Sequence, residues 1–319
     1  MRLNFTHESD FRQERDFGQK ISATFEFIGA HWRPLGRILL YLVVPATLVQ
    51  HILSAMLQVQ MQGSLLAAMQ GPHAAGANGA LGIQRAMWGT LFNSPEYWIS
   101  SVVGTAVYTM LILSVYGYVI LLARRREPGP EVTVAEVWNV VRSEFLSTFF
   151  STWGVFLLVG VAFFLLFVPG LYLSVALSLF FIVKLSEGGG FGATISRCLR
   201  LTRGKWWSTF GLLFIMVMIV YVVLAGVGLV AALASGGFTA LMRNTQERSA
   251  LFTVALTSVS GVLMLLLYPP LLLVLAFQYF NLVERKDAVG LRHLVNSLGQ
   301  TPAPQVHNAA YQPNEEGEY

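Results

Sequence analysis

Residues 210–234 read FGLLFIMVMIVYVVLAGVGLVAALA, 25 positions without a charged side chain. As a helix rising about 1.5 Å per residue, this run is long enough to cross a hydrocarbon core of roughly 30 Å. Lipid offers no partners to backbone donors and acceptors, so a helix is the form in which a single such segment can cross. Similar runs recur, at about residues 38–57, 98–122, 146–167, 171–185 and 251–283. The expected fold is therefore all-α, a polytopic membrane bundle of about six transmembrane helices. Residues 1–36 read as an N-terminal segment, 37–299 as the transmembrane domain, and 300–319, with three prolines among polar residues, as a disordered tail.

Composition agrees with this reading. Of 319 residues 55% are hydrophobic and 12% charged, about half the charge of an ordinary soluble domain. All 17 carboxylates fall outside the apolar runs. The net charge of +4 comes from basic residues clustered beside the spans, which suits anionic lipid headgroups rather than nucleic acid. The lone cysteine, Cys198, permits no intrachain disulfide. The charged first 36 residues lack the pattern of a cleavable signal peptide, so the first span is expected to act as its own insertion signal.

Charge asymmetry sets the expected orientation. With the N-terminus in the cytoplasm, 18 Lys and Arg face inward, and only Arg85, Arg243 and Arg248 face outward. Both termini are then cytoplasmic. Val168-Pro169-Gly170 turns the chain between the third and fourth spans, as a full hairpin or as a re-entrant one.

Before the first, third and fifth spans the apolar spacing becomes that of an amphipathic helix. Phe17, Ile21, Phe25, Ile28 and Trp32 form one stripe. Val134, Val137, Trp138, Val141 and Phe145 form a second, opened by Thr133 and Glu136 at capping-box spacing. Phe191, Ile195, Cys198, Leu199 and Thr202 form a third. Ser151-Thr152-Trp153-Gly154 and Ser208-Thr209-Phe210-Gly211 open similar apolar runs. These features suggest a threefold unit of interfacial helix plus hairpin; the alternative is the ordinary preference of Trp and Arg for headgroup depth. Short helices are expected at 81–92 and in a final amphipathic stretch near 289–298.

The stretch from Val168-Pro169-Gly170 through Glu187, Arg197, Arg200, Gly204, Trp206 and Trp207 resembles the membrane domain attached to some glycerophosphodiester phosphodiesterases, and stand-alone bacterial relatives of that domain. The similarity is closest over about residues 149–217. It implies a helical architecture and a bacterial cytoplasmic (inner) membrane. The catalytic domain of those enzymes has no counterpart here, so the resemblance carries no activity and no site residues with it.

The search for chemistry yields little. No two of the six histidines share metal-ligand spacing, and no cofactor motif is present: Gly188-Gly189-Gly190 lacks the Lys-Ser/Thr of a phosphate loop. His51 is the one ionisable group well inside an expected span, a candidate functional residue or a neutral hydrogen-bonder beside Gln50. Ser258-Val259-Ser260-Gly261 only superficially resembles a protease motif, and its small residues suit close helix approach. The main candidate for recognition is Arg197, Arg200, Arg203, Lys205, Trp206 and Trp207, which would engage a lipid headgroup or an acidic partner, or merely enforce topology. The leading expectation is a non-catalytic scaffold or accessory protein, binding lipid, partner proteins or a second copy of itself at the cytoplasmic face. Next come a transporter of a lipophilic substrate and, third, a membrane-embedded enzyme.

Overall fold

The computed structural model describes residues 5, 8–55, 57, 84, 88–89, 92–125, 131–241, 261 and 267–288. Among them there is no strand. The helices are α1 (Glu8–Phe11), α2 (Phe17–Ile38), α3 (Pro95–Ala123), α4 (Val134–Leu165), α5 (Phe167–Leu177), α6 (Phe180–Glu187), α7 (Phe191–Thr202), α8 (Trp206–Leu241) and α9 (Tyr268–Asp287). Five stretches are long and apolar enough to cross a membrane: Phe17–Ala55, Pro95–Ala123, Val134–Leu165, Phe167–Glu187 and Trp206–Val230. The chain is thus an all-α helical bundle of the multi-pass membrane kind.

Local chemistry places the helix ends. Pro95 opens α3 after Ser94, where a missing N–H costs nothing. Thr133 and Glu136 close the expected capping box on α4, with Glu136 N donating to Thr133 Oγ1 at 3.3 Å and Thr133 N to Glu136 Oε2 at 3.2 Å. Leu166, with φ −155° and ψ 137°, breaks the helix between α4 and α5. The chain then folds back tightly, and a Cβ on Gly170 would stand 2.5 Å from Phe163 Cγ. Gly188, at φ 68°, ends α6 in the left-handed conformation that glycine adopts freely. Pro269 and Pro270, inside the apolar run at 251–283, lie in the first turn of α9, where proline is tolerated. The rest of that run, 251–260 and 262–266, falls outside the described residues, as do the tail, the 289–298 stretch and most of 81–92.

Burial sorts the helices into centre and periphery. α3 is buried on all sides from Leu111 to Ile120, and α9 from Leu272 to Val283. α2, α4 and α8 flank them and present apolar outer faces, including Phe156, Leu157 and Phe164 of α4 and Tyr221 and Val222 of α8. For a membrane protein those faces meet lipid. At one end the N-terminal segment joins the core: Phe5 and Phe11 are fully buried with Phe27 and Phe277. Asn281 Nδ2 donates to the Arg15 carbonyl at 2.8 Å, and the Arg15 guanidinium lies 5.2 Å from the Phe277 ring centre.

Three expectations need correction. First, the three stripes do not form three separate surface helices. α2 continues through a π-helical turn at Leu39–Val43 to residue 55, bending where His31 departs from helical angles (φ −115°, ψ 16°) just before Pro34. α4 runs unbroken from Val134 to Leu165, because no Gly, Pro or cap interrupts residues 145–150. Only α7 stands alone. The Ser-Thr-aromatic-Gly junctions consequently fall in the middle of α4 but in the first turns of α8, so the proposed copies are not structurally equivalent.

Second, the third stripe does not face lipid. In α2 the aromatic residues Phe17, Phe25 and Trp32 are exposed, as a stripe at the membrane interface requires, while Ile21 and Ile28 pack partly inward and the buried line is Lys20, Thr24, Phe27, His31 and Leu35. In α7, Thr194, Cys198, Leu201 and Thr202 are buried against protein rather than lying on lipid. Third, Lys184, expected in a cytoplasmic loop, is buried in α6, where its ammonium donates to the Ser147 carbonyl at 2.8 Å and to Ser151 Oγ. It fastens α6 to α4, and its long stem follows the apolar surface between them.

Candidate functional site

The segments expected to share one side of the membrane meet at one end of the bundle. Arg124 Nη2, just past α3, donates to the Ser186 carbonyl at 3.5 Å. Arg285 of α9 pairs with Glu14 at 3.5 Å. Lys286 donates to the carbonyls of Arg200 and, at 3.1 Å, Arg203, where α7 ends. Unpaired carbonyls at a helix C-terminus carry partial negative charge, so a lysine there is favourable.

The six residues of the expected basic patch do different jobs. Arg197 points inward: Nε donates to both oxygens of Glu187 at 3.0 and 2.9 Å, and Nη2 donates to Asp287 Oδ2. Burial works against its charge, but the bonds to Asp287 and Glu187 outweigh burial and hold the guanidinium above its usual range. Tyr279 adds a hydrogen bond to Glu187 Oε1 at 3.1 Å. Trp206 is half-buried. Its indole N–H donates to the Tyr172 carbonyl at 3.1 Å, and its ring stacks on Tyr172 and Phe210 at 5.9 and 5.3 Å. Arg200, Arg203, Lys205 and Trp207 remain outside, Trp207 with 77% of its surface exposed. The patch is thus a rigid mount, built by Arg197 and Trp206, carrying three cations and one indole.

Cys198 lies next to Arg197 but faces the core, and burial pushes its thiol up to about 12. Between Arg124, Ser186, Glu187, Arg197 and Tyr279 there is a cavity of about 230 Å³. Sequence reasoning missed the partners of Arg197, since Asp287 is distant along the chain. Glu187, ten residues before Arg197, was the only visible signal.

Toward the other end, polar groups lie within the bundle. Gln50 Nε2 donates to Ser54 Oγ at 3.2 Å and to Ser100 Oγ at 3.3 Å, fastening α3 to the continuation of α2. A second cavity, of about 420 Å³, opens beside Gln50, Ser100, Gly104, Tyr108 and Phe156. Tyr116 does not reach it and is fully buried. His51 Nε2 is buried with no hydrogen-bond partner among the described residues. A methyl on Gly261 would overlap it, at 1.4 Å, so the small residue there is what admits the imidazole. Ser258 and Ser260 lie outside the described residues. Among the described residues no three His, Cys, Asp or Glu side chains are grouped to hold a metal.

The chain matches no protein-family model, no curated protein and no solved structure. Fold and site together define a class, the multi-pass helical membrane protein with one basic end.

Proposed function

We propose that this chain is a non-catalytic scaffold or accessory protein of a bacterial cytoplasmic membrane, with both termini in the cytoplasm and its basic end engaging anionic headgroups or a partner protein. The observation that carries this reading is the mounted patch: Arg200, Arg203, Lys205 and Trp207 are exposed on a helix end anchored from behind by Arg197 and Lys286. An indole at headgroup depth beside three cations suits an anionic membrane surface. The positive-inside rule supports the orientation, because the basic segments converge at this end. The resemblance to the phosphodiesterase membrane domain supports the bacterial setting and rests on the residues quoted above.

Native mass spectrometry from mild detergent tests the proposal. It should recover an enriched anionic lipid or a stoichiometric protein, including a second copy of the chain. Recovery of neither would count against it. A second reading, transport of a lipophilic substrate, is favoured by the cavity beside Gln50 and Tyr108. Flux of a lipid probe in vesicles, lost when Gly104→Leu fills that cavity, would favour transport over scaffolding.

A further inference from the structure

Lys20 carries a charge that the described part of the chain leaves unanswered. It is only 4% exposed, and among the described residues no carboxylate lies within 4.0 Å of its ammonium. Lys205 and Arg285 are within electrostatic reach and repel it, and Asp16 is the acid that attracts it. Arg285 is held by Asn281 Oδ1 at 3.0 Å and by Glu14 at 3.5 Å. Among the described residues, Lys20 thus has two cations, Lys205 and Arg285, and one acid, Asp16, acting on its charge.

Packing fixes the place. Ile21, the next residue, packs against Leu212 and Met216 of α8 and Val274 of α9. One turn earlier, the Phe17 ring lies 3.6 Å from where a Cβ on Gly211 would stand. Lys20 thus occupies the junction of α2, α8 and α9. A buried cation without a counter-charge is far more costly than a surface one, and an anion from outside the chain would remove that cost. Lipid is the nearest source. Phe17 and Trp207 are exposed beside the junction, and the outer face of α8 beyond it is apolar and exposed from Phe214 onward. Headgroup phosphates lie at the level where such aromatic residues anchor.

We propose that the junction formed by Lys20, Lys205 and Arg285 binds the phosphate of an anionic membrane lipid. A phosphodiester supplies a counter-charge, its oxygens accepting from the two ammonium groups and the guanidinium while its acyl chains follow α8. The inference rests on the proposed lipid-facing role of the basic end and narrows it from a patch to a site.

The test is native mass spectrometry of the full chain, titrated with phosphatidylglycerol, with zwitterionic phosphatidylcholine and with inorganic phosphate. The wild type should retain one phosphatidylglycerol in preference to phosphatidylcholine. Lys20→Gln and Lys205→Gln should each weaken that binding about tenfold, the usual scale for losing a charge-assisted contact. Lys20→Arg should largely restore it, and Arg37→Gln, at the exposed pair with Glu131, should leave it nearly unchanged. Lys205 is exposed, so its variant carries the test if Lys20→Gln fails to fold. Lipid preference lost with Arg200→Gln and Arg203→Gln but not with Lys20→Gln or Lys205→Gln overturns this site and leaves the lipid reading of the basic end standing. No preference for anionic lipid in any form overturns both. Inorganic phosphate displacing the lipid at equal stoichiometry overturns the lipid source.

Discussion

Replacing Arg197 by Met should cost about 2 kcal/mol of stability, a value bracketed by two kinds of ion pair. Exposed pairs contribute about 0.2–1 kcal/mol, and breaking a buried one costs about 3–5 kcal/mol. Arg197 is 16% exposed, Glu187 33% and Asp287 34%, so this network falls between those limits. Glu187 would keep the Tyr279 hydroxyl at 3.1 Å. Asp287 would be left as a bare negative charge at the C-terminal end of α9, where the helix dipole disfavours it. A loss of about 2 kcal/mol corresponds to a fall in melting temperature of about 3 °C for a chain of this size. In a double-mutant cycle, Arg197→Met with Asp287→Asn should show a coupling of about 1 kcal/mol. The effect should survive 1 M salt, because partly buried pairs are weakly screened. Arg37 and Glu131 supply the contrast. They are 3.8 Å apart and 63% and 74% exposed, so Arg37→Gln should cost less than about 0.5 kcal/mol. Thermal unfolding in detergent, followed by tryptophan fluorescence, reads both. If Arg197→Met cost no more than Arg37→Gln, or if salt abolished the difference, the anchoring role of Arg197 would be wrong.

Cys198 should resist maleimide at pH 8 in the folded protein and react fully after denaturation. The thiolate is the nucleophile, and burial that pushes the thiol up to about 12 keeps it protonated until the pH approaches that value; rapid labelling of the native chain would contradict the packing of α7. Gly170→Ala should destabilise by about 1–3 kcal/mol, since the added methyl meets Phe163 where the hairpin closes, and an unchanged melting temperature would show a looser hairpin. Gln278 donates to Thr209 Oγ1 at 2.9 Å between α9 and α8. Gln278→Leu alone should cost about 1 kcal/mol, and Thr209→Val added to it should cost little more, because the pair is then absent on both sides; additive losses in the same assay would rule that coupling out.

Much of the architecture was legible because lipid imposes simple rules. An uncharged run of 25 residues in α8 and a Thr-x-x-Glu box before α4 each state a helix or its start by local chemistry alone, whereas the proline pair, inside the run expected at 251–283, opens α9. Helix faces were harder to read. A membrane bundle exposes aromatic residues to lipid and buries small or polar ones between helices, so the stripe holding Cys198 and Thr202 faces protein rather than lipid. Nothing in the apolar spacing marked Lys20, Thr24 and His31 as part of the buried line of α2. The continuity of α2 and α4 was hidden as well, because a change in apolar period does not end a helix when no cap or breaker accompanies it. At the candidate site, the basic cluster was evident from composition. The inward turn of Arg197 depended on Asp287, whose proximity is created only by the fold.

The central claim is that apolar helices cross a bilayer with their basic ends together on the cytoplasmic side. Labelling of single cysteines in a Cys198→Ala background, using a membrane-impermeant maleimide on intact cells and on inside-out vesicles, tests it most directly. Arg203→Cys should be protected in cells and labelled in inside-out vesicles, and Asn93→Cys, exposed just before α3 at the opposite end, should behave in reverse. The opposite pattern, or equal labelling of both positions in intact cells, would contradict it.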